Sequence, residues 1–447
     1  MSYAAAIDAL NALAPELFTT PGRPRRKFSL AEIGILLDDL GNPHERFKSV
    51  LIAGTNGKGS TAATLASILG AAGLRTGLYT SPHLDRANER IRIEDAEISD
   101  DDFAREYFTV DDAAGRLVAG GKLAQMPSFF EILTAMAFLE FAEKGVDIAV
   151  LEVGMGGRLD ATNTADPLIS IITDISLDHT EWLGPTIAAI TREKAGILRR
   201  HGVMVTLPQH LEANQVLGEV ATELEIRGVS ATPFMPAVNA AAGDRYEVEA
   251  LGGLIHVESP LAGAHQHRNV ALAVAAAVEL ANHFGFPVTP AAIETGIQRT
   301  RWPGRLERIR CGNVEWILDV AHNPAGAWAL RAGLRDALET AERNGAGRVL
   351  VFGCLRDKPV EELAQILFPL FDQVIFAPIR SPRAADLEAL LAAAEATGTP
   401  ARAAESVGAA IEIGREAVAG GVAVVSGSVY LVGEARGLLI GWTGERG

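Results

Sequence analysis

Short, nearly unbroken apolar runs alternate along the chain with longer stretches whose apolar positions recur at helical spacing. Val50–Ala53, Arg75–Thr80, Asp147–Val153 and Leu168–Ile175 are runs of the first kind. The last two are rich in Val and Ile, as strands covered on both faces require. Ser60–Ala72 and Ser128–Lys144 are helical stretches, and Ser99-Asp100-Asp101-Asp102 reads as an N-cap with an acidic first turn. Residues 4–47 read as short helices broken by prolines, with a basic patch at Arg23, Arg25, Arg26 and Lys27. Strands alternating with helices predict a parallel, doubly wound α/β sheet. Residues 244–259 follow another rule: Tyr246, Val248, Ile255 and Val257 alternate around Gly252-Gly253, which predicts a peripheral hairpin, and an alanine-rich helix follows at Arg268–Phe284. A fresh α/β alternation begins after about Trp302, with strands expected at Val314–Val320, Arg348–Phe352, Gln373–Ala377 and Gly421–Ser426. Thr300-Arg301-Trp302-Pro303-Gly304 reads as a linker, so two domains are expected, 1–300 and 301–447.

At 447 residues the chain exceeds the size at which one core keeps growing, which agrees with that division. Nothing approaches the roughly 20 apolar residues of a membrane span. The first residues lack a basic segment before Ala4–Leu13, so no secretory signal is expected. Cys311 and Cys354 stand far apart, without metal-type spacing, which fits a reducing cytosol. A net charge of −16 argues against nucleic-acid binding, which needs a basic face. It also means that cations for a polyanionic ligand must be gathered locally. Lys58, Arg86, Arg90, Arg158, Lys194 and Arg305 all lie in or beside glycine-marked segments.

The densest chemistry lies at Gly54-Thr55-Asn56-Gly57-Lys58-Gly59-Ser60-Thr61, between the first strand and a helix. Glycines let consecutive N–H groups converge on one anion, and a helix start adds partial positive charge. Lys58 can then reach β- and γ-phosphates, and a hydroxyl of Ser60 or Thr61 is suitably placed for Mg²⁺. The general phosphate-loop pattern fits imperfectly, because position 52 is Ile and Gly59 separates Lys58 from Ser60. Glu152 ends an apolar strand before Gly154-Met155-Gly156-Gly157-Arg158, where a carboxylate is expected to hold Mg²⁺ or position water. His179 follows the next strand, within Asp174-Ile175-Ser176-Leu177-Asp178-His179. Arg192-Glu193-Lys194 closes a helix and, on its residues alone, is equally a solvated charged face. Past the linker, Arg305 and the sequence Asp319-Val320-Ala321-His322-Asn323-Pro324 repeat a strand-end, Pro-initiated-helix geometry, although Asp319 alone is equally a helix N-terminal carboxylate.

Taken in order, these segments resemble the folylpolyglutamate synthase/dihydrofolate synthase family, a branch of the Mur-ligase-like ATP-dependent amide ligases. The resemblance covers nearly the whole chain. It rests on Gly54–Ser60, Thr80-Ser81-Pro82-His83-Leu84, Glu89-Arg90-Ile91, Phe129-Phe130-Glu131, Leu151–Asn163, Leu177–Thr180, Arg192–Ile197, Pro303–Leu306, Asp319–Pro324 and Asp357-Lys358-Pro359. Mur ligases proper place a further domain before the loop, for which about fifty residues leave no room. The resemblance implies a P-loop ATPase domain followed by a smaller Rossmann-like domain that completes the ATP and glutamate sites. It implies that Thr55, Asn56, Gly57, Lys58, Gly59, Ser60 and Thr61, with Asn269, Arg305 and Asp319, bind ATP. Ser81, Glu152, His179 and Lys194 would hold Mg²⁺, two ions in all, with Lys194 N6-carboxylated into an oxygen ligand. Ser128, Phe129, Phe130, Glu131, Leu159, Asp160, Ala161 and His322 would meet substrate, with Lys58, Lys194, His179 and Arg305 catalytic. Ser128 stands where the family often has Thr, which keeps the hydroxyl. The implied activity is ATP-dependent joining of L-glutamate to dihydropteroate or to folate through an acyl phosphate, in a cytoplasmic monomer with small-molecule partners only. A P-loop kinase or NTPase would share residues 50–61 but has no need of the Pro303–Asn323 set.

Overall fold

The computed structural model describes residues 2–13, 29–237, 245–418 and 420–444, so the basic patch at Arg23–Lys27 lies outside the described residues. The chain forms two compact units: residues 1–82, 87–260 and 267–300, and residues 83–86, 261–266 and 301–447.

The first unit is built on eight strands: β1 (Lys48–Ala53), β2 (Thr76–Tyr79), β3 (Ile91–Ile93), β4 (Ala96–Glu97), β5 (Ile148–Glu152), β6 (Ile169–Ile172), β7 (Val203–Thr206) and β8 (Arg227–Ser230). They lie in the order β4-β3-β2-β5-β1-β6-β7-β8. The run from β2 to β8 is parallel, and β3 and β4 add an antiparallel edge. Every residue of β5 and β6 is buried, which is why they read as continuous apolar runs. Because β5, β1 and β6 are parallel neighbours, the segments leaving Ala53, Glu152 and Ile172 emerge at one edge of the sheet. β7 and β8 gave no sequence signal; only two residues of β7 and none of β8 are fully buried.

The expected hairpin is present as β9 (Arg245–Ala250) and β10 (Gly253–Glu258), with Tyr246 opposite Val257 and Val248 opposite Ile255. Those four side chains are buried. The alanine-rich helix begins at His265, before the expected Arg268, and runs to Phe284.

The second unit holds β11 (Glu307–Cys311), β12 (Val314–Leu318), β13 (Arg348–Phe352), β14 (Gln373–Phe376), β15 (Ala401–Ala403) and β16 (Val422–Ser426), ordered β11-β12-β16-β13-β14-β15. All pairs are parallel except the edge pair β11–β12. Leu350 and Phe352 pack with Leu330, Leu334 and Leu363 on one face, whereas Val349 and Val351 pack with Ile411, Leu431 and Val432 on the other. Successive residues of one strand therefore enter different cores, and helices cover both faces. No helix among the described residues is long and apolar enough to cross a membrane.

Candidate active site

At the end of β1 the chain turns through Gly54–Gly57, and Gly57 takes φ 87° before the helix Lys58–Ala71. A Cβ at Gly57 would meet Oδ1 of the buried Asn269, so the position needs glycine for conformation and for space. No side chain caps this helix, and its first regular backbone bond is Thr61 N–H to Gly57 O at 2.9 Å. The first-turn amides at Lys58, Gly59 and Ser60 are those a helix leaves without intrahelical acceptors, and they suit an anion. Thr55 and Asn56 behave differently. Their amides both donate to Asp174 O, at 2.8 and 3.2 Å. Thr55 Oγ1 accepts from Ser176 N–H and donates to Ser176 O, each at 3.1 Å, and Asn56 Nδ2 donates to Ser176 Oγ at 3.3 Å. These two residues shape the loop; the amides left to grip phosphate begin further along. Lys58 Nζ folds back to Thr55 O at 3.2 Å.

Glu152, the last residue of β5, is buried and accepts from Ser81 N–H at 3.2 Å. The hydroxyls of Ser81 and Thr61 are buried without a hydrogen-bond partner. A buried carboxylate beside a hydroxyl with an unused oxygen is a donor set suited to a hard divalent cation, so these residues fit Mg²⁺. His179 sits at φ 50° at the start of the short helix Thr180–Leu183, its amide donating to Asp178 Oδ1 at 2.9 Å.

Lys194, near the end of the helix Ile187–Ala195, is 5% exposed, and its Nζ donates to Gly54 O at 2.6 Å. The structure therefore brings this lysine to the phosphate loop and removes it from the solvated face that its neighbours suggested. Burial, with the charge of Lys58 acting in the same direction, pulls its pKa down to about 7 against the opposing pull of Asp178 and Asp160.

Ser128 caps the helix Phe129–Glu143 in a reciprocal box with Glu131: Ser128 N–H donates to Glu131 Oε2 at 2.7 Å and Glu131 N–H to Ser128 Oγ at 3.3 Å. Phe130 is buried, its ring 5.8 Å from that of Tyr79 and pressed on Gly154, where any Cβ would collide with it. Phe129 is only half-buried and lies beneath Arg90, 5.3 Å from guanidinium carbon to ring centre. Asp160 is buried and accepts from Met155 N–H and Thr162 N–H at 2.9 and 3.0 Å, which fixes the turn carrying Leu159 and Ala161. Burial pushes its pKa up.

In the second unit, Asp319 is buried and accepts from Leu306 N–H and Ala321 N–H, both at 2.9 Å. It does not cap the following helix; Asn323 does, accepting from Gly326 N–H at 2.8 Å. Burial raises the pKa of Asp319 against the opposing charges of Arg305 and His265. Arg305 is half-buried on the same turn, and His322 Nδ1 lies 2.9 Å from Val320 O.

Sequence reasoning passed over Arg268, Asp174 and Ser176 as functional candidates. Arg268 grips Asp174 through Nε at 2.8 and 3.0 Å and through Nη2 at 2.6 Å. Only their positions, two just past a strand end and one beside Asn269, could have marked them.

Comparison with known proteins gives the family. The Mur ligase middle-domain model matches residues 52–277, and the Mur ligase glutamate-ligase-domain model matches residues 304–429. The chain is 37% identical to the dihydrofolate synthase/folylpolyglutamate synthase of Mycobacterium tuberculosis, over 92% of this chain and 90% of that protein. The crystal structure of Mycobacterium tuberculosis folylpolyglutamate synthase complexed with ADP and AMPPCP is similar at a TM-score of 0.84 and 37% identity, covering 92% of this chain and 95% of that one. An Escherichia coli relative in complex with DHPP and ADP is similar at a TM-score of 0.81 and 29% identity, covering 99% and 98%. The glutamate-ligase match beyond residue 304 is what a kinase or simple NTPase would lack.

Proposed function

The chain belongs to the Mur ligase family, in its folylpolyglutamate synthase/dihydrofolate synthase branch, and from that premise we propose that it is an ADP-forming ligase joining L-glutamate to a pterin acid: dihydropteroate, a folate already carrying glutamate, or both. The observation that carries this reading is the uncapped helix start at Lys58–Ser60 behind a left-handed Gly57, with Lys58 and the buried Lys194 converging on the same loop.

A carboxylate is a poor electrophile and must be activated before an amine can displace its oxygen. A carboxylate oxygen of the pterin acid attacks the γ-phosphorus of ATP, the bond to the bridging oxygen breaks, and ADP leaves. The amine nitrogen of glutamate then attacks the acyl phosphate carbon; the carbon–oxygen bond breaks, phosphate departs with the electron pair, and the nitrogen releases its proton. The helix-start amides and Lys58 oppose the charge that builds on the transferring group, and fixed donors of this kind contribute on the order of 10² to 10³ in rate each. Ser81, Glu152, His179 and Lys194 would hold Mg²⁺, two ions in all, which would supply further charge neutralisation. Lys194 suits that duty once carboxylated. A lysine titrating near 7 is substantially uncharged at neutral pH, and its free amine adds to CO₂ with loss of one proton, giving an anionic oxygen donor. Arg305, Asp319 and His322 are proposed to serve nucleotide and glutamate, and Phe129, Leu159 and Ala161 the pterin, on the matching motifs. We place the reaction in the cytoplasm, in a monomeric enzyme, on the family resemblance.

ADP release measured with dihydropteroate and with a reduced folate, each with and without glutamate, tests the reading. Release that needs both pterin acid and glutamate is expected. Release independent of glutamate, or none with any pterin acid, would overturn it.

A further inference from the structure

The phosphate loop is held from its far side by a pair of residues 94 positions apart in the chain. Asp174, just past β6, presents its carbonyl to the amides of Thr55 and Asn56 at 2.8 and 3.2 Å. Its side chain is gripped by Arg268 through three contacts of 2.6 to 3.0 Å, and Arg268 Nη2 also donates to Pro208 O at 2.9 Å. The adjoining Ile175 N–H donates to Gln209 Oε1 at 2.8 Å, so the segment is tied on both sides. Arg268 precedes Asn269, the residue that meets Gly57 at the other end of the loop. One turn of the helix His265–Phe284 thus holds the loop at Thr55–Asn56 through Asp174 and lies close against Gly57.

We propose that Arg268 is a positioning residue for the nucleotide: by locking Asp174 it sets the curvature of residues 54–57 and so aims the amides of Lys58, Gly59 and Ser60. The inference rests on the ATP-binding reading of that loop. A guanidinium bound to both oxygens of a carboxylate resists rotation in a way that a single contact does not. The pair is partly open to solvent, with side-chain exposures of 28% and 40%. Its net worth to global stability is accordingly small, while its effect on local geometry need not be.

The test uses the full chain with Arg268→Gln, Arg268→Lys, Asp174→Asn and the double variant Arg268→Gln/Asp174→Asn. ADP affinity is measured by calorimetry and steady-state constants with each substrate varied. Arg268→Gln should weaken ADP binding and raise KM for ATP about tenfold, leaving KM for glutamate and the melting temperature near wild type. Arg268→Lys, which cannot make the two-oxygen grip, should recover only part. Asp174→Asn should weaken ADP binding to a similar degree, and the double variant should be no worse than either single change. Amide hydrogen exchange should accelerate at Thr55 and Asn56 in Arg268→Gln while the strands stay protected. Tighter ADP binding in Asp174→Asn would mean that Arg268 touches nucleotide itself, which overturns the proposal. So would unchanged exchange at Thr55–Asn56, or additive losses in the double variant. If wild-type protein binds no ADP, it is the ligase reading that falls.

Discussion

Glu106→Gln should make this protein more stable at pH 8 and flatten its stability between pH 5 and pH 7. Glu106 is fully buried where the helices Asp100–Ala119 and Phe129–Glu143 meet. Its Oε1 accepts from Arg105 at 2.7 and 3.0 Å, while its Oε2 is buried with no partner. Arg105 also reaches Asp102 and comes within 3.3 Å of Glu140 and 3.5 Å of Glu143, and Lys144 lies 3.1 Å from Asp102 and 3.7 Å from Glu140. Four carboxylates thus share two cations. Burial pushes the pKa of Glu106 up to about 7 from 4.5; the bond from Arg105 opposes this, and Glu143 and Glu140 reinforce it. Between those pH values the folded chain holds a proton here that the unfolded chain has lost. The contribution to stability is therefore complete below about pH 4.5 and disappears as pH climbs to 7. At about 1.4 kcal/mol per pH unit, the window corresponds to about 3 kcal/mol. Glutamine keeps an acceptor for Arg105, places an N–H donor where the bare Oε2 was, and never ionises. Exchanging a charge-assisted bond for a neutral one returns about 1 kcal/mol, leaving a net gain of about 2 kcal/mol at pH 8. Denaturant unfolding of both proteins from pH 5 to pH 8 reads the difference curve, in which titrating groups remote from this cluster cancel. Parallel curves for the two proteins, or a variant weaker than wild type at pH 8, would refute the reasoning.

Lys58→Ala should cut kcat/KM by at least about 10² with far-UV dichroism unchanged; full ligation in that variant would remove the loop from the mechanism. Gly57→Ala forces an L-residue to φ 87° and pushes its methyl onto Asn269, a strain of roughly 1–3 kcal/mol, so ADP affinity should fall at least tenfold by calorimetry. Lys194→Ala should lose most activity, and protein equilibrated with ¹³C-labelled CO₂ should give a carbamate NMR signal that this variant lacks. Phe130→Ala should cost roughly 3–5 kcal/mol in denaturant unfolding, as expected for emptying a buried ring site, with Phe129→Ala far milder.

What the sequence made legible was local. A strand stopping at Gly54 and a helical stretch opening at Ser60 lie close together, and the pattern carries its own geometry; the helix itself starts two residues earlier, at Lys58. The hairpin at residues 245–258 was equally plain, because period-two alternation around two glycines has few other solutions. β8 and β11 were missed because edge strands have little to bury: β8 has no fully buried residue, and every residue of β11 is partly open. Lys194 was ambiguous because Arg-Glu-Lys at a helix end is ordinary surface chemistry. Its ammonium is held by Gly54 O, 140 positions earlier, and no local pattern reports that. Phe130, which the resemblance places among substrate contacts, packs in the core against Gly154, whose missing side chain makes the room.

The acidic residues show why such readings divide as they do. Asp319 stood out beside a Pro-initiated helix, while Asp174 attracted no separate attention, although each follows a parallel strand. Both fix backbone at a ligand-side turn, but by opposite means. Asp319 spends its carboxylate on the amides of Leu306 and Ala321, so its partners lie near it in sequence and its burial is self-contained. Asp174 spends its carbonyl on the loop and its carboxylate on Arg268, 94 positions away. A carboxylate that shapes its own turn leaves a motif behind. One that relays the grip of a distant arginine leaves none, because any residue could supply the carbonyl and only the guanidinium demands the acid. In a chain of parallel strands, residues that tune the phosphate loop without touching phosphate are therefore to be sought among ion pairs linking one strand end to a helix much later in the chain.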